Sequence, residues 1–374
     1  MNGFARTDIS LVGRWWWTVD RWLLAALLVL IGAGVLMVLG ASPPVAEKLN
    51  LDSFHFFRRH LALLIPALAV MFVVSLLSPI GVRRVAVVML GVALVLTLAT
   101  VLLGAEAKGA TRWLSLGGLS IQPSEFLKPA LAVAAAWLFA AQRQVHRFPG
   151  DAIAAALLGA ILIALMLQPD FGMALTVAAV WFAQYFLAGL SLVWVGALLG
   201  LGVGGLMIGY ASFDHVRSRI DRFFDPTAGD NYQVETSLRA FSNGGLFGRG
   251  PGEGVVKDHL PDAHADFIFA VAGEEFGLIA CLLIVGLFAF IVLRGLVRLA
   301  EEEDLFVLLA AAGLLTQFGL QALINMAVTL HLVPTKGMTL PFVSYGGSSM
   351  LALSVGMGML LALTRWRPRP GSWQ

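Results

Sequence analysis

Long apolar runs recur along this 374-residue chain and constrain its fold more than any other feature. Each run is close to the ~20 residues that an α-helix needs to cross the hydrocarbon core of a bilayer. Because backbone polar groups in lipid must be satisfied within their own segment, each run is predicted to be a helix. The runs lie at about residues 22–41, 60–78, 85–104, 125–141, 151–168, 171–189, 192–210, 266–293, 305–329 and 342–364. The sequence therefore predicts an all-α polytopic membrane protein with about ten transmembrane helices.

Composition supports the same class. Hydrophobic residues make up 59% of the chain and charged residues 13%, against roughly 25% charged residues in soluble domains. The net charge of +2 is too small to indicate a nucleic-acid partner, and no basic stretch is interleaved with aromatic residues. The single cysteine, Cys281, lies in an apolar run and cannot form an internal disulfide. No cleavable signal peptide is expected, since the first apolar run is long enough to stay in the membrane.

Basic residues in the short connections predict the orientation, because cytoplasmic loops are enriched in Lys and Arg. With the N-terminus in the cytoplasm, most of the short-loop arginines fall inside, and an even number of helices returns the C-terminus to the same side. We expect a cytoplasmic segment (1–21), a ten-helix membrane domain (22–364) and a cytoplasmic tail (365–374). The external connection 211–265 is far longer than usual, which is typical of functional loops. It is predicted to be partly ordered and to lie over the membrane domain.

This external loop ends in a crowded run of charged residues that leads directly into an apolar run. Asp258, Asp262 and Asp266 are spaced by four, which would align them on one helix face, although Pro261 opposes a continuous helix. Carboxylates held close together raise one another's pKa, which suits a general base near neutral pH. Asp266 at the helix mouth is the best candidate for a base that meets a lipid-borne substrate. On spacing alone, N-capping of the helix is an equal alternative.

Three more carboxylates lie at or inside predicted helices. Glu274 and Glu275 are about two turns inside the same run, so at least one should face the bundle and pair with a cation, for which Lys128 is a candidate. A purely structural buried ion pair is the simpler interpretation. Asp170 lies at an external helix end, where capping is again the simpler interpretation.

Two stretches rich in small residues are candidates for contact with a substrate. Residues 244–254 lack the Gly-Lys-Ser/Thr of a P-loop and the context of a dinucleotide site, so they do not indicate nucleotide binding. Their glycines are expected to permit tight turns. A contact between Arg249 and a diphosphate is left open. Residues 334–349 place Lys336 and Ser344 at a helix entrance, where amides and a cation can hold an anion. A re-entrant turn for close helix packing is the alternative there.

Taken together, these motifs resemble those of the SEDS family (shape, elongation, division and sporulation), which includes FtsW, RodA and SpoVE. The matching blocks are Arg112-Trp113-Leu114, Gln122-Pro123-Ser124-Glu125 with Lys128, Gln168-Pro169-Asp170-Phe171-Gly172, Tyr232-Gln233 with Ser237-Leu238, Gly244 to Gly248, Leu260 to Phe267, Gly273-Glu274-Glu275 and Pro334 to Ser349. Residues 335–339 favour the FtsW branch over the RodA branch. Family members usually have Glu and Thr where this chain has Asp262 and Ala265, so a hydroxyl group beside the proposed base is not required here.

The resemblance implies a peptidoglycan glycosyltransferase of the bacterial inner membrane that polymerises lipid II on the external face, here at the division septum. It implies that Asp266 deprotonates the acceptor sugar, and that a wider set of residues binds substrate or organises the loops. That set is Arg112, Glu125, Lys128, Arg249, Asp258, Asp262, His264, Lys336 and Ser344.

The resemblance also implies partners: a class B penicillin-binding protein transpeptidase and other membrane proteins of the division complex. It requires no cofactor. No Cys/His cluster has metal-ligand spacing, although His264 between two aspartates leaves a divalent cation (Mg²⁺ or Mn²⁺) open. The alternatives are a lipid II flippase, a RodA-type enzyme of cell elongation and a non-catalytic scaffold.

Overall fold

Ten apolar helices run through the computed structural model, which describes residues 10–107, 110–116, 119–225 and 231–367. They are α2 (Arg21–Lys48), α3 (His55–Ser75), α4 (Pro79–Leu103), α5 (Ser124–Gln144), α6 (Gly150–Leu167), α7 (Phe171–Leu187), α8 (Leu192–Ser212), α11 (Ile268–Leu299), α12 (Leu305–Thr329) and α13 (Gly347–Leu363). Eight are long and apolar enough to cross a membrane, and α7 and α13 are apolar helices of 17 residues. Residues 1–9 of the predicted N-terminal segment, 226–230 of the predicted external loop and 368–374 of the predicted tail lie outside the described residues.

The prediction of an all-α polytopic membrane protein is confirmed, and capping residues explain several helix starts. Asp20 accepts hydrogen bonds from two backbone N–H groups at the start of α2, and Asp304 does the same for α12. Pro79 occupies the first position of α4, where its missing N–H costs nothing. The last apolar helix begins at Gly347, later than predicted, because the preceding residues form a turn in which Phe342 has φ 60°.

The connections contain more structure than the sequence indicated. The link between α4 and α5 forms a three-stranded antiparallel sheet of β1 (Ala105–Ala107), β2 (Ala110–Leu116) and β3 (Leu119–Ile121). The long external loop contains α9 (Asp214–Phe224), α10 (Tyr232–Gly244) and a 3-10 helix (Lys257–His259). A short α1 (Leu11–Thr18) precedes the first apolar helix.

The two most buried long helices lie at the centre of the bundle. In α5, 83% of the apolar span is buried by protein, and in α12 the fraction is 67%. By contrast, only 6% of the span of α8 is buried, so α8 lies at the periphery with its side chains facing outward. The rigid centre thus consists of the helices that carry Lys128 and two buried amides, Gln321 and Asn325.

Both ends of the described chain lie on the same side of the bundle. The backbone N–H of Trp366 donates to the carbonyl of Thr18 at 2.8 Å. Close by, Asp20 accepts hydrogen bonds from Arg294 and Arg298 of α11 at 2.9 and 2.8 Å. These contacts agree with an even number of membrane crossings, and the positive-inside rule assigns this side to the cytoplasm.

The glycine-rich residues 244–254 insert into a break in α11. At Gly277 the backbone has φ 76° and ψ −176°, so the helical hydrogen bonds are interrupted there. The loop replaces them: backbone N–H groups of Arg249 and Gly250 donate to the carbonyls of Glu274 and Glu275 at 2.9 and 3.0 Å, and two N–H groups beyond Gly277 donate back to the loop. The glycines therefore allow a close approach of two backbones, as buried backbone groups must be paired.

Replacing Gly248 with Ala should destabilise the protein by about 2–4 kcal/mol, because a Cβ there would overlap the Glu275 carbonyl and the φ of +83° disfavours an L side chain. The matched control is Gly252→Ala, which has a φ of +84° but open space around it and should lose only about 1 kcal/mol. Thermal unfolding of the purified protein measures both. Equal losses would show that the backbone conformation alone matters.

Candidate active site

Asp266 lies in the turn that leads into α11. Asp258, Asp262 and Asp266 do not share one helix face, as Pro261 indicated, because Asp258 lies in the 3-10 helix and Asp262 has a left-handed φ of 53°, so the chain turns between them. The N-cap position of α11 is Phe267, so Asp266 lies one residue before the cap that the sequence offered as an alternative role. Asp266 is half-buried at the start of the helix.

The turn before α13 fixes the backbone of this acidic turn. The N–H of Tyr345 donates to the carbonyl of His264 at 2.9 Å, and Ser344 Oγ donates to the carbonyl of Ala265 at 2.6 Å. The same hydroxyl accepts from the N–H of Leu340 at 2.8 Å. Ser344 therefore joins two loops through their backbones, and its predicted contact with substrate stays a prediction.

Asn325 of α12 joins Asp266 to the loop in front of it. Its Nδ2 donates to the carbonyl of Asp266 at 2.8 Å and to that of Met338 at 2.6 Å. The residue before Met338, Gly337, faces the Asp266 carboxylate, since a Cβ built on this glycine would lie 3.0 Å from Oδ2. The carboxylate thus rests against a backbone that has no side chain to displace it.

A second buried network continues from the loop into the bundle centre. Gln321, one turn before Asn325, donates from Nε2 to the carbonyl of Thr339 at 3.0 Å. Its Oε1 accepts from Lys128 Nζ at 2.9 Å, and Lys128 also forms an ion pair with Glu125 at 2.8 Å. The predicted residues Glu125 and Lys128 therefore lie in one buried network that ends beside Gly337.

Lys336 brings a cation to the external end of α7. Its Nζ donates to Thr176 Oγ1 at 2.6 Å and to the carbonyl of Gly172. Burial lowers the pKa of Lys336 to about 7, and the nearby carboxylate of Asp170 limits the decrease. Near neutral pH this amine can therefore gain or lose its charge according to what lies next to it.

Arg112 and Asp170 form the outer rim of the site. Arg112 NH1 lies 3.7 Å from Asp170 Oδ2, and its Nε donates to the carbonyl of Gln168 at 3.2 Å. Asp170 also accepts from the N–H of Met173 at 3.1 Å, so its predicted role as a helix cap is confirmed.

Arg219 on α9 belongs to the same group, although it was not among the site residues predicted from the sequence. Partial desolvation and the guanidinium groups of Arg112 and Arg222 lower the pKa of Arg219, whereas the carboxylates of Asp170 and Asp266 raise it. These groups are therefore close enough to interact. The strong amphipathic character of residues 214–224 was the available signal, because it indicates a helix with one face directed toward the membrane domain.

Cations from three elements lie around the Asp170 carboxylate, and one of them, Arg219, also interacts with Asp266. Arg112 comes from the sheet, Arg219 from α9 and Lys336 from the loop before α13. An adjoining cleft on the outer side is lined by Arg219, Arg222, Asn231, His331 and Thr335, among others. A base beside several cations is suited to deprotonate a hydroxyl while an anionic leaving group departs.

Glu274 is a structural anchor for the external loop. Its carboxylate is fully buried and accepts from three consecutive backbone N–H groups, residues 255–257, at 2.8 to 2.9 Å, and from Asn243 Nδ2 at 2.7 Å. Four hydrogen bonds satisfy a buried carboxylate that would otherwise be costly. Glu274 thus holds residues 255–257 of the external loop, which leads to Asp266, against α11.

Lys257 is the cation of the second carboxylate, so the predicted pairing with Lys128 is wrong. Lys257 Nζ forms a buried ion pair with Glu275 and donates to the carbonyl of Gly40 in α2 at 3.0 Å. The loop folds against α11 and brings Lys257 to Glu275, whereas Lys128 is already held by Glu125 on its own helix. The simpler interpretation, a structural buried ion pair, fits these contacts.

Arg249 lies apart from Asp266. Its side chain donates to Asn243 at 2.8 and 2.6 Å, and its backbone N–H donates to the carbonyl of Glu274. Glu274 is eight residues after Asp266, or roughly 12 Å at the rise of an α-helix. The structure therefore does not bring Arg249 together with the other predicted substrate contacts.

His264 packs among aromatic rings. Its ring centroid lies 4.3 Å from that of Phe56 and 5.3 Å from that of Tyr345. In the part of the chain that the structure describes, no three His, Cys, Asp or Glu side chains are grouped as a metal ion would need. The geometry thus gives His264 a packing contact and adds no support for the divalent cation.

Comparison with known proteins decides the family. The family model of FtsW, RodA and SpoVE, described as cell cycle proteins, matches residues 21–368. The chain belongs to this family. It is 45% identical over 368 residues to a probable peptidoglycan glycosyltransferase FtsW of Caulobacter vibrioides (strain NA1000 / CB15N), covering 98% of this chain and 94% of that one. A protein of the same description from Coxiella burnetii (strain RSA 493 / Nine Mile phase I) is 36% identical, covering 93% and 96%.

Solved structures agree with this family assignment. A chain of a peptidoglycan synthase complex, which coordinates polymerization and crosslinking, superposes with a TM-score of 0.75 at 27% identity, covering 92% of this chain and 97% of that one. The rod shape determining protein RodA of Thermus thermophilus gives a TM-score of 0.70 at 27% identity, covering 94% and 99%. The SEDS resemblance predicted from the motifs is confirmed, and the chain is a multi-pass membrane protein of the FtsW, RodA and SpoVE family.

Lys257→Met should destabilise the protein by about 3–5 kcal/mol, because it leaves the buried Glu275 carboxylate without its cation. In the double variant Lys257→Met/Glu275→Leu most of this loss should be recovered, since neither charge remains buried. A double-mutant cycle on thermal unfolding of the purified protein measures the coupling. Additive losses would contradict the ion pair.

Proposed function

We propose that this chain is a peptidoglycan glycosyltransferase that polymerises lipid II on the external face of the bacterial inner membrane during cell division. The supporting observation is one carboxylate, Asp266, which is held by its backbone at a helix entrance. It interacts with Arg219, which belongs to a group of cations with Arg112 and Lys336 around Asp170. The names of the FtsW relatives support the reaction class.

In the proposed reaction, Asp266 takes the proton of the acceptor's sugar hydroxyl. The resulting oxygen attacks the anomeric carbon of the growing chain, a new glycosidic bond forms, and the bond to the lipid diphosphate breaks. The diphosphate leaves with both electrons of that bond, so negative charge grows on it. Cations fixed in advance at that place stabilise the transition state without reorganisation.

We assign the diphosphate to the cluster of Arg112, Arg219 and Lys336. Arg219 interacts unfavourably with Arg112 and Arg222, and an added anion relieves this repulsion. Glu125 and Lys128 act one layer deeper, through Gln321 and the loop that carries Lys336. Asp258, Asp262, His264 and Ser344 support the shape of the loops around Asp266.

The partner in this proposal is a class B penicillin-binding protein, whose transpeptidase crosslinks the new glycan, together with other membrane proteins of the division complex at the septum. The peptidoglycan synthase complex among the structural relatives supports a partner of the synthase type. Localisation of a fluorescent fusion distinguishes this role from a RodA-type role in elongation, because a division enzyme is expected at the septum.

Polar residues inside the bundle would suit the flippase alternative, since they could line a translocation path, but four of them make hydrogen bonds to loops. Glu274 and Glu275 hold the external loop, and Gln321 and Asn325 hold the loop before α13. Their contacts therefore support loop organisation and do not favour translocation.

Asp266→Asn should lower glycan polymerisation by about 10²–10⁴-fold, the usual contribution of a general base, without changing the fold. The assay is purified full-length protein with its partner transpeptidase and labelled lipid II, with polymer length read on gels. Asp214→Asn, which removes an exposed carboxylate from the same external loop, is the matched control and should remain active. Undiminished polymerisation by Asp266→Asn would refute the base, whereas lipid II transfer across vesicles without polymer would point to the flippase.

Lys336 should produce a pH dependence of kcat/KM near neutrality. Burial lowers its pKa to about 7, so the amine is protonated below pH 7 and loses its charge as the pH rises above it. Since a protonated amine attracts the diphosphate, kcat/KM should fall between pH 7 and 8.5. Lys336→Arg keeps its charge and should flatten this part of the profile, while the exposed Lys48→Arg should leave it unchanged. An identical fall in Lys336→Arg would exclude this role.

A further inference from the structure

An arginine cluster lies at the end of the bundle opposite to Asp266, and the proposed reaction does not use it. We define the cytoplasmic arginine cluster as Arg14, Arg365 and Arg367. The chain after α13 lies against α1: Arg365 Nε donates to Thr18 Oγ1 at 2.9 Å, and that hydroxyl donates to the carbonyl of Arg14 at 2.8 Å. Arg14 and Thr18 are four residues apart, so both lie on the face of α1 that meets Arg365.

Among the residues that the structure describes, the charged groups that act on Arg365 are other cations. Two neighbouring arginines of α11 are neutralised by Asp20, and Arg367 has the carboxylates of Glu302 and Asp304 near it. Arg365 instead has Arg367 and Arg14 as its charged neighbours. Burial lowers the pKa of Arg365 and these two cations lower it further, so an anion bound beside Arg365 would offset their repulsion.

The aromatic side chains of the same segment place the cluster at the membrane surface. The Arg21 guanidinium lies over the rings of Trp16 and Trp17, 5.1 and 4.7 Å from their centroids. Trp17 and Trp22 are exposed on the protein surface. Exposed tryptophans next to arginines are typical of the headgroup region, and the positive-inside rule assigns this end to the cytoplasmic leaflet. The anions present at this depth are lipid phosphates.

Arginine is well suited to such a ligand. Its planar guanidinium binds phosphate oxygens in a bidentate manner, and each basic residue near an anionic leaflet adds about 1 kcal/mol of attraction. Arg365 is also held in place by a hydrogen bond from NH1 to the carbonyl of Leu76 at the end of α3, at 3.3 Å. One side of the site is therefore fixed by α1, α3 and the segment after α13 before any lipid binds.

We propose that Arg14, Arg365 and Arg367 bind the phosphate of an anionic phospholipid in the cytoplasmic leaflet. The lipid bridges α1 and the segment after α13, and its phosphate places a negative charge beside Arg365. The ligand is a phosphatidylglycerol-type headgroup with a net negative charge, because a zwitterionic headgroup brings its own cation to the same place.

Native mass spectrometry of the full-length protein tests this site. The protein is released from nanodiscs that contain equal amounts of phosphatidylglycerol and phosphatidylcholine, and retained lipids are counted. We expect preferential retention of phosphatidylglycerol by the unaltered chain and a loss of at least about fivefold in Arg14→Gln/Arg367→Gln. Arg365 is left unchanged in this variant because it also holds α1 and α3 together.

The matched control is Arg84→Gln/Arg147→Gln, which removes the same charge from two exposed arginines on the same side of the membrane. This variant should keep its phosphatidylglycerol. If both variants lose phosphatidylglycerol equally, the retention is explained by general attraction to a basic surface, and the proposed site is overturned. Retention of phosphatidylcholine at the same level as phosphatidylglycerol, or full retention by the cluster variant, would also overturn it. Thermal unfolding of each variant, measured in parallel, checks that the fold is intact.

Discussion

Two buried amides one helical turn apart on α12 hold the external surface of this protein together. Gln321 and Asn325 each donate to backbone carbonyls of the loop before α13, and Asn325 also binds the backbone of Asp266. In a bundle built from apolar side chains, the polar backbone of a loop is held where a helix has hydrogen-bonding side chains at the level of that loop in the membrane. α12 meets this requirement because it lies at the bundle centre, so its amides have little freedom to move. The position of the carboxylate is thus set by the most rigid part of the fold.

The sequence predicted the architecture well because lipid imposes a simple rule. A run of about twenty apolar residues has to be a helix, and the ten predicted runs correspond to ten helices with ends displaced by a few residues. The order of motifs and their resemblance to a family then predicted Asp266 as the base. Both inferences depend on local sequence, which is what a single chain provides.

What the sequence could not provide was pairing between distant segments. The partner of Glu275 is Lys257, eighteen residues earlier, because the external loop folds back against α11. The break at Gly277 and its repair by the glycine-rich loop require two backbones to meet, and neither segment indicates this alone. Arg219 lies on an amphipathic helix whose apolar residues are few, so it contributes no membrane-span signal. These features share one property: they depend on contacts between separate segments, which the pattern within one segment does not specify.

The contacts around Asp266 also determine when the site can form. Its backbone and that of its neighbours are held by Asn325, Ser344 and Tyr345, all of which follow it in the chain. During synthesis, the helix that begins after Asp266 is therefore complete well before the residues that orient the carboxylate have been made. The backbone of the proposed base lacks these contacts until the loop before α13 has been made. A chain interrupted before Ser344 would have most of its membrane domain but would lack contacts that hold the turn around Asp266.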